Sequence, residues 1–259
     1  MRMMKKVLGT VTVLALSVSL LAGCGSTAAS PVSSAASTAA ESTTSSVVSE
    51  TTSAAADENV AAAAQLLNDL TGSYQELWPV ILADEYQQTW LDDCTALVGE
   101  ENAEAAFEKL SSMVTSDVYG EDAVEAYANG GGAYFCGFTN SLATLTFDGE
   151  TSTISGTDKD GNVLFSHTYH YIGMEPVHGL YEFESDDADS GEFTYFFLAP
   201  DTSAETYHIE FRYGSDAEAL SQYDAGEYAY WVASGISTDC DQTMIDNCIE
   251  LFCTENLAG

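Results

Sequence analysis

Residues 142–172 read LATLTFDGETSTISGTDKDGNVLFSHTYHYI, and this stretch decides the fold. Apolar residues fall on alternate positions at Leu145 and Phe147, and again at Phe165, Tyr169 and Tyr171. A period of two is the signature of a strand with one buried face. Asp148-Gly149 and Asp160-Gly161 punctuate the run as hairpin turns, because glycine accepts the positive φ that a primed turn needs. The stretch therefore predicts three antiparallel strands, near 142–148, 151–156 and 163–172.

The same alternation extends outward. Strands are expected near 133–139, 179–185, 192–199 and 206–213, with a polar turn at Asp186–Ser190. Short strands joined by tight turns favour an up-and-down sheet closed into a small barrel, which leaves no bare edge; the expected closed barrel spans 133–213. Before Asn129-Gly130-Gly131-Gly132 the period is helical. One helix is expected from Asp57 to Leu70, ended by Thr71-Gly72; another over Ser73–Leu82, with Pro79 tolerated near its start; others near 102–115 and 121–127. A last helix is expected near Asp239–Cys253. The fold class is α+β, mainly β: an antiparallel barrel with helices at both ends of the domain.

The chain has 41 Asp and Glu against 6 Lys and Arg, a formal charge of −35. Such a field repels nucleic acid and anionic lipid headgroups. Three of the basic residues, Arg2, Lys5 and Lys6, precede an apolar run from Val7 to Ala22 that is shorter than the roughly 20 residues of a membrane span. This is the layout of an export signal. Leu21-Ala22-Gly23-Cys24 has the form of a lipobox, so residues 1–24 are expected to be a lipoprotein signal, Cys24 the acylated residue, and the protein tethered to the extracytoplasmic side of the cell membrane. Residues 25–57, nearly all Ser, Thr, Ala, Gly and Val, bury too little apolar surface to fold and are expected to be a disordered linker to a domain at 58–259. The remaining cysteines, Cys94, Cys136, Cys240, Cys248 and Cys253, have no zinc-finger spacing and read as structural.

Histidines stand at 167, 170, 178 and 208. His167 shares the apolar face of its strand and reads as a packed, hydrogen-bonded residue. His208 and Glu210 share a strand face, about 7 Å apart between Cα atoms, and both are ordinary ligands of divalent metals. The competing reading is a solvated polar face with Glu210 beside Arg212. No Gly-x-Ser-x-Gly elbow, phosphate loop or calcium loop occurs, and no enzymatic activity is expected.

Leu70-Thr71-Gly72-Ser73-Tyr74-Gln75-Glu76-Leu77-Trp78-Pro79-Val80-Ile81 resembles the opening W-x-G-x-W-Q-S-V-Y-P-L-L of the ZinT (YodA) family of zinc-binding proteins. Tyr207-His208-Ile209-Glu210-Phe211-Arg212-Tyr213-Gly214-Ser215-Asp216 resembles its H-x-H block, and Phe196-Phe197-Leu198-Ala199-Pro200 its D-H-I-I-A-P. The resemblance implies a calycin- or lipocalin-like barrel and a zinc site. That family uses one His before I-I-A-P and two in H-x-H; here Phe196, His208 and Glu210 stand at those places. A third ligand would have to come from elsewhere, His170 or His178 being the candidates. The expected function is capture of zinc or another divalent metal for a zinc ABC importer. The alternative is a barrel that has lost the metal site and binds a small ligand or a protein.

Overall fold

The computed structural model describes residues 47–199 and 208–258. In chain order the helices are α1 (Val47–Asp69), α2 (Leu77–Ile81), α3 (Gln87–Val98), α4 (Glu100–Ser112), α5 (Glu121–Ala128), α6 (Ala217–Leu220) and α7 (Gln242–Leu257). The strands are β1 (Gly72–Glu76), β2 (Thr144–Asp148), β3 (Thr153–Thr157), β4 (Val163–Met174), β5 (Tyr181–Ser185), β6 (Tyr195–Leu198), β7 (His208–Gly214) and β8 (Ala233–Ser237). They form one closed antiparallel barrel in sequence order, sealed by β8 against β1. The fold class read from the alternation is the one observed. The leader and Cys24 lie outside the described residues, and α1 begins at Val47, within the stretch read as linker.

Two expectations are corrected. Ser73–Leu82 is not one helix: Gly72–Glu76 is strand β1, and only Leu77–Ile81 is helical. Tyr74, Leu77, Trp78 and Ile81 are all buried at helix-like spacing, but Tyr74 points into the barrel while the other three pack with the helices. Pairing with both β2 and β8 overrides the local pattern. Residues 133–139 are not a barrel strand; they make only isolated bridges through Phe135. The barrel thus draws its first and last strands from outside 133–213.

The interior is aromatic. Phe183, Phe196 and Tyr213 are cross-strand neighbours on β5, β6 and β7, each at most 1% exposed. Phe196 stacks on Tyr213 at 5.4 Å between centroids and meets Tyr169 edge-on at 5.4 Å. Helix α1 lays Ala63, Leu66, Leu67 and Leu70, one stripe of a 3.6-residue period, against this core. Its approach fixes the β2–β3 turn: a Cβ on Gly149 would sit 2.4 Å from the Asn68 Cα. The positive φ of that turn falls on Ser152 (52°), so Gly149 is required by close approach rather than by turn geometry. In the β3–β4 turn the glycine does take positive φ, 81° at Gly161.

A second core lies between the helices and the outer side of β8. It joins Leu77, Trp78 and Ile81 of α2, Trp90 and Cys94 of α3, Leu110 of α4, Ile245, Cys248, Ile249 and Cys253 of α7, and Ile236. The Trp90 Nε1 donates to the Ile81 carbonyl at 2.7 Å, so the buried indole keeps its hydrogen bond. Helix α7 is capped by Asp241, which accepts from the Met244 amide at 3.0 Å.

Candidate functional site

Strand β7 alternates strictly. Ile209, Phe211 and Tyr213 face the barrel interior, so His208, Glu210 and Arg212 share the outer face. His208 is half-buried and Glu210 exposed; Arg212 is fully buried. The two sequence-predicted ligands therefore lie on one face of one strand, near the barrel end where β7 begins.

Arg212 is buried because the chain after β7 folds over it. Residues 215–231, including α6, form a strap over it, and the strap's Leu220, Tyr228 and Trp231 join the barrel core, Trp231 meeting the inward-facing Tyr213 edge-on at 5.0 Å. The Asp216 carboxylate starts the strap by accepting from the Glu218 and Ala219 amides at 2.9 and 3.1 Å. The Arg212 guanidinium donates to the carbonyls of Leu220, Gln222 and Tyr228. Its Cζ also lies 4.2 Å from the centroid of the Tyr223 ring. Burial pulls the guanidinium pKa below its ordinary value.

The Tyr223 ring also meets His178, with ring centroids 3.7 Å apart. Glu175, fully buried, accepts from the amides of Val177 and His178 at 2.9 and 2.6 Å, and its Oε2 is 3.5 Å from the His178 Nδ1. Burial, with the charge of Glu175 second, raises the Glu182 carboxyl pKa. Burial pushes the Tyr223 hydroxyl up; Arg212 opposes that shift, and Glu175 and Glu210 add to it. Glu182, Phe197 and Arg212 form one cross-strand row on this outer face. Cys136 belongs to the same side: its thiol is pushed up to about 12 by burial and by the charge of Glu210.

The candidate third ligands part company here. His170 is on β4 with its Nδ1 2.7 Å from the Asp186 Oδ1 and its Nε2 3.9 Å from the Glu184 Oε2. It is three strands from β7 and aligned with the opposite end of that strand, which puts it on the order of 20 Å from His208. His178 is the nearer of the two, placed beside Tyr223 and Arg212. His167 packs on Phe165 and its Nδ1 sits 2.7 Å from the Asp187 Oδ2, a hydrogen-bonded histidine. Phe196 pairs with Tyr213 and so faces the interior, opposite to His208 and Glu210. Phe196 therefore does not converge with His208 and Glu210. Among the described residues no group of three or more His, Cys, Asp or Glu side chains is placed to hold a metal ion.

The sequence reading missed the buried Arg212, Glu175 and the thiol beside Glu210. Its one usable signal was the run of aromatic residues after the lone arginine of the domain's second half, Tyr223, Tyr228 and Trp231.

No family model matches the chain, and no curated protein matches it. Among solved structures it is similar to the Zn(II)-bound ZinT-like domain of Streptococcus pneumoniae AdcA, with 15% identity and a TM-score of 0.45, covering 71% of this chain and 89% of that one. It is also similar to Zn(II)-bound AdcA from Streptococcus pneumoniae, with 14% identity and a TM-score of 0.42, covering 72% of this chain and 35% of that longer one.

Proposed function

We propose that the protein is a lipid-anchored, extracytoplasmic barrel that captures a divalent cation, zinc foremost, as cargo for an importer in the same membrane. The observation that carries the reading is the placement of His208 and Glu210 side by side on the outer face of β7. A resident three-donor centre of the ZinT type does not fit, because Phe196 lies across the sheet from them. Two protein donors with water completing the shell make an open, exchangeable site, suited to handing a cation on rather than keeping it. The acidic field of the chain raises the local cation concentration around it. His208 has to be neutral to donate, so capture weakens as pH falls. The lipobox and the resemblance of the sequence blocks support the location and the cargo.

The test is calorimetric titration of zinc into the wild-type chain and into the His208→Ala, Glu210→Ala double variant. The expected result is binding in the micromolar range or weaker for the wild type and at least a tenfold loss in the variant. Equal binding by both would place the cation elsewhere on the acidic surface.

A second reading is favoured by one observation, the aromatic filling of the barrel at Phe183, Phe196 and Tyr213. With the family's histidine position turned into core, the domain acts as a surface module for a protein partner, engaged from outside because the interior is packed at that level. Failure of the wild type to bind zinc at micromolar concentration would select this reading.

A further inference from the structure

We propose that Cys94 and Cys253 form a disulfide bond that ties helix α3 to the C-terminal helix α7. Their Sγ atoms face each other at 3.9 Å, and both residues are fully buried. The two helices pack directly together, with Trp90 and Phe252, one turn and one residue away from the cysteines, in edge-to-face contact at 5.9 Å between centroids. The contact joins residues 159 positions apart, so it is made by the fold and not by local sequence. Closing to a bond requires the sulfurs to approach by roughly 2 Å, a displacement within the reach of χ1 rotation on two adjacent helices.

The balance is that of thiol–disulfide exchange. One cysteine, as thiolate, attacks a sulfur of an oxidised partner, either a low-molecular-weight disulfide or a thiol-oxidising protein. The second cysteine then displaces that partner from the mixed disulfide. Two thiols of the chain lose two protons and two electrons; the partner's disulfide is reduced to two thiols. Burial raises the pKa of both cysteines, so attack is slow once the helices are docked. The bond therefore forms as α7 docks and is afterwards shielded from reductant. An exported chain folds where such oxidants prevail. The proposal stands on helix packing and on the export part of the proposed function, and is independent of the cation reading.

The ring closed by the bond contains β2 to β8 and most of α7. Restricting so long a segment of the unfolded chain raises the melting temperature, by roughly 5–15 °C for a domain of this size. The experiment refolds the reduced, denatured full chain in a buffer of reduced and oxidised glutathione, blocks free thiols with iodoacetamide, and maps peptides by mass spectrometry without reduction. The expected product joins the Cys94 and Cys253 peptides with the loss of two hydrogens. Its melting temperature is higher than that of the chain refolded in reductant, and the Cys94→Ala variant shows no such difference. Recovery of both cysteines as alkylated thiols, or of either joined to a different cysteine, overturns the proposal; so does a wild-type melting temperature that is the same whether the chain is refolded with oxidised glutathione or in reductant.

Discussion

The inner and outer rows of the same three strands, β5, β6 and β7, are one residue apart and solve burial by opposite means. The inner row is Phe183, Phe196 and Tyr213; the outer is Glu182, Phe197 and Arg212. In the inner row Phe183 and Phe196 are held by ring contacts that have no unique partner, so apolar residues of similar volume can replace one another there at small cost; Tyr213 alone adds a polar tie, its hydroxyl accepting from the Thr139 amide at 2.6 Å. The outer row is held by a guanidinium aimed at particular carbonyls. It can be broken at one atom, because removing a buried charge leaves its partners unsatisfied. On these three strands the charged side chains Glu182 and Arg212 lie on the outer face, which the strap partly covers.

Arg212→Ala would break the contrast most severely. Three carbonyls, those of Leu220 and Tyr228 buried, and Glu175 lose their cation, and a loss of roughly 3–5 kcal/mol is expected in urea denaturation, with hydrogen exchange of residues 217–231 accelerated ahead of the barrel strands. A loss below about 1 kcal/mol would mean that the strap is held by Leu220 and Trp231 alone.

Phe196→His tests the other side of the sheet. The substitution places an imidazole among Phe183, Phe211 and Tyr213, at an expected cost of about 2–4 kcal/mol. Zinc affinity is expected to stay unchanged, because the new donor faces away from His208 and Glu210. A gain in affinity on calorimetric titration would show that the strand can turn and that the two faces are not separate.

Glu182→Gln gives the smallest effect and sharpens the comparison through pH. The Glu182 pKa is raised above its ordinary 4.5, first by burial and then by Glu175. Its favourable contribution is therefore complete below 4.5 and is lost as pH rises through the raised folded value. Glutamine suffers no such loss, so the variant should be more stable than wild type at pH 7 by about 0.2–0.5 kcal/mol, solvent screening keeping the figure small. The gap should close in melting curves recorded below pH 4.5.

What could be read from the sequence follows the same division. Strands β2 to β5 were legible because each buries alternate residues, as Phe165 and Tyr169 do on β4, and β7 because Ile209, Phe211 and Tyr213 alternate with polar residues. Strand β8 was not: Ala233 to Ile236 are all buried, so alternation vanishes, and Gly235 is small because a Cβ there would lie 3.1 Å from Ile209. Strand β1 was hidden by the helix-like spacing of Tyr74 with α2. At the site, the shared face of His208 and Glu210 came directly from the period of two. The burial of Arg212 did not, since an arginine on a polar face reads as solvated until the strap that covers it is placed.

The seam between β1 and β8 also sets the order of events in folding. Tyr74 must find Ser237, nearly the whole domain later in the chain. Contacts of such long sequence separation are slow to form, and they come after the local hairpins from β2 to β5. Until β8 docks, β1 and β7 each present an unpaired edge, the form in which a chain of this kind is most open to pairing with a neighbour. The repulsion among 41 carboxylates holds such edges of neighbouring chains apart while the last strand is still undocked.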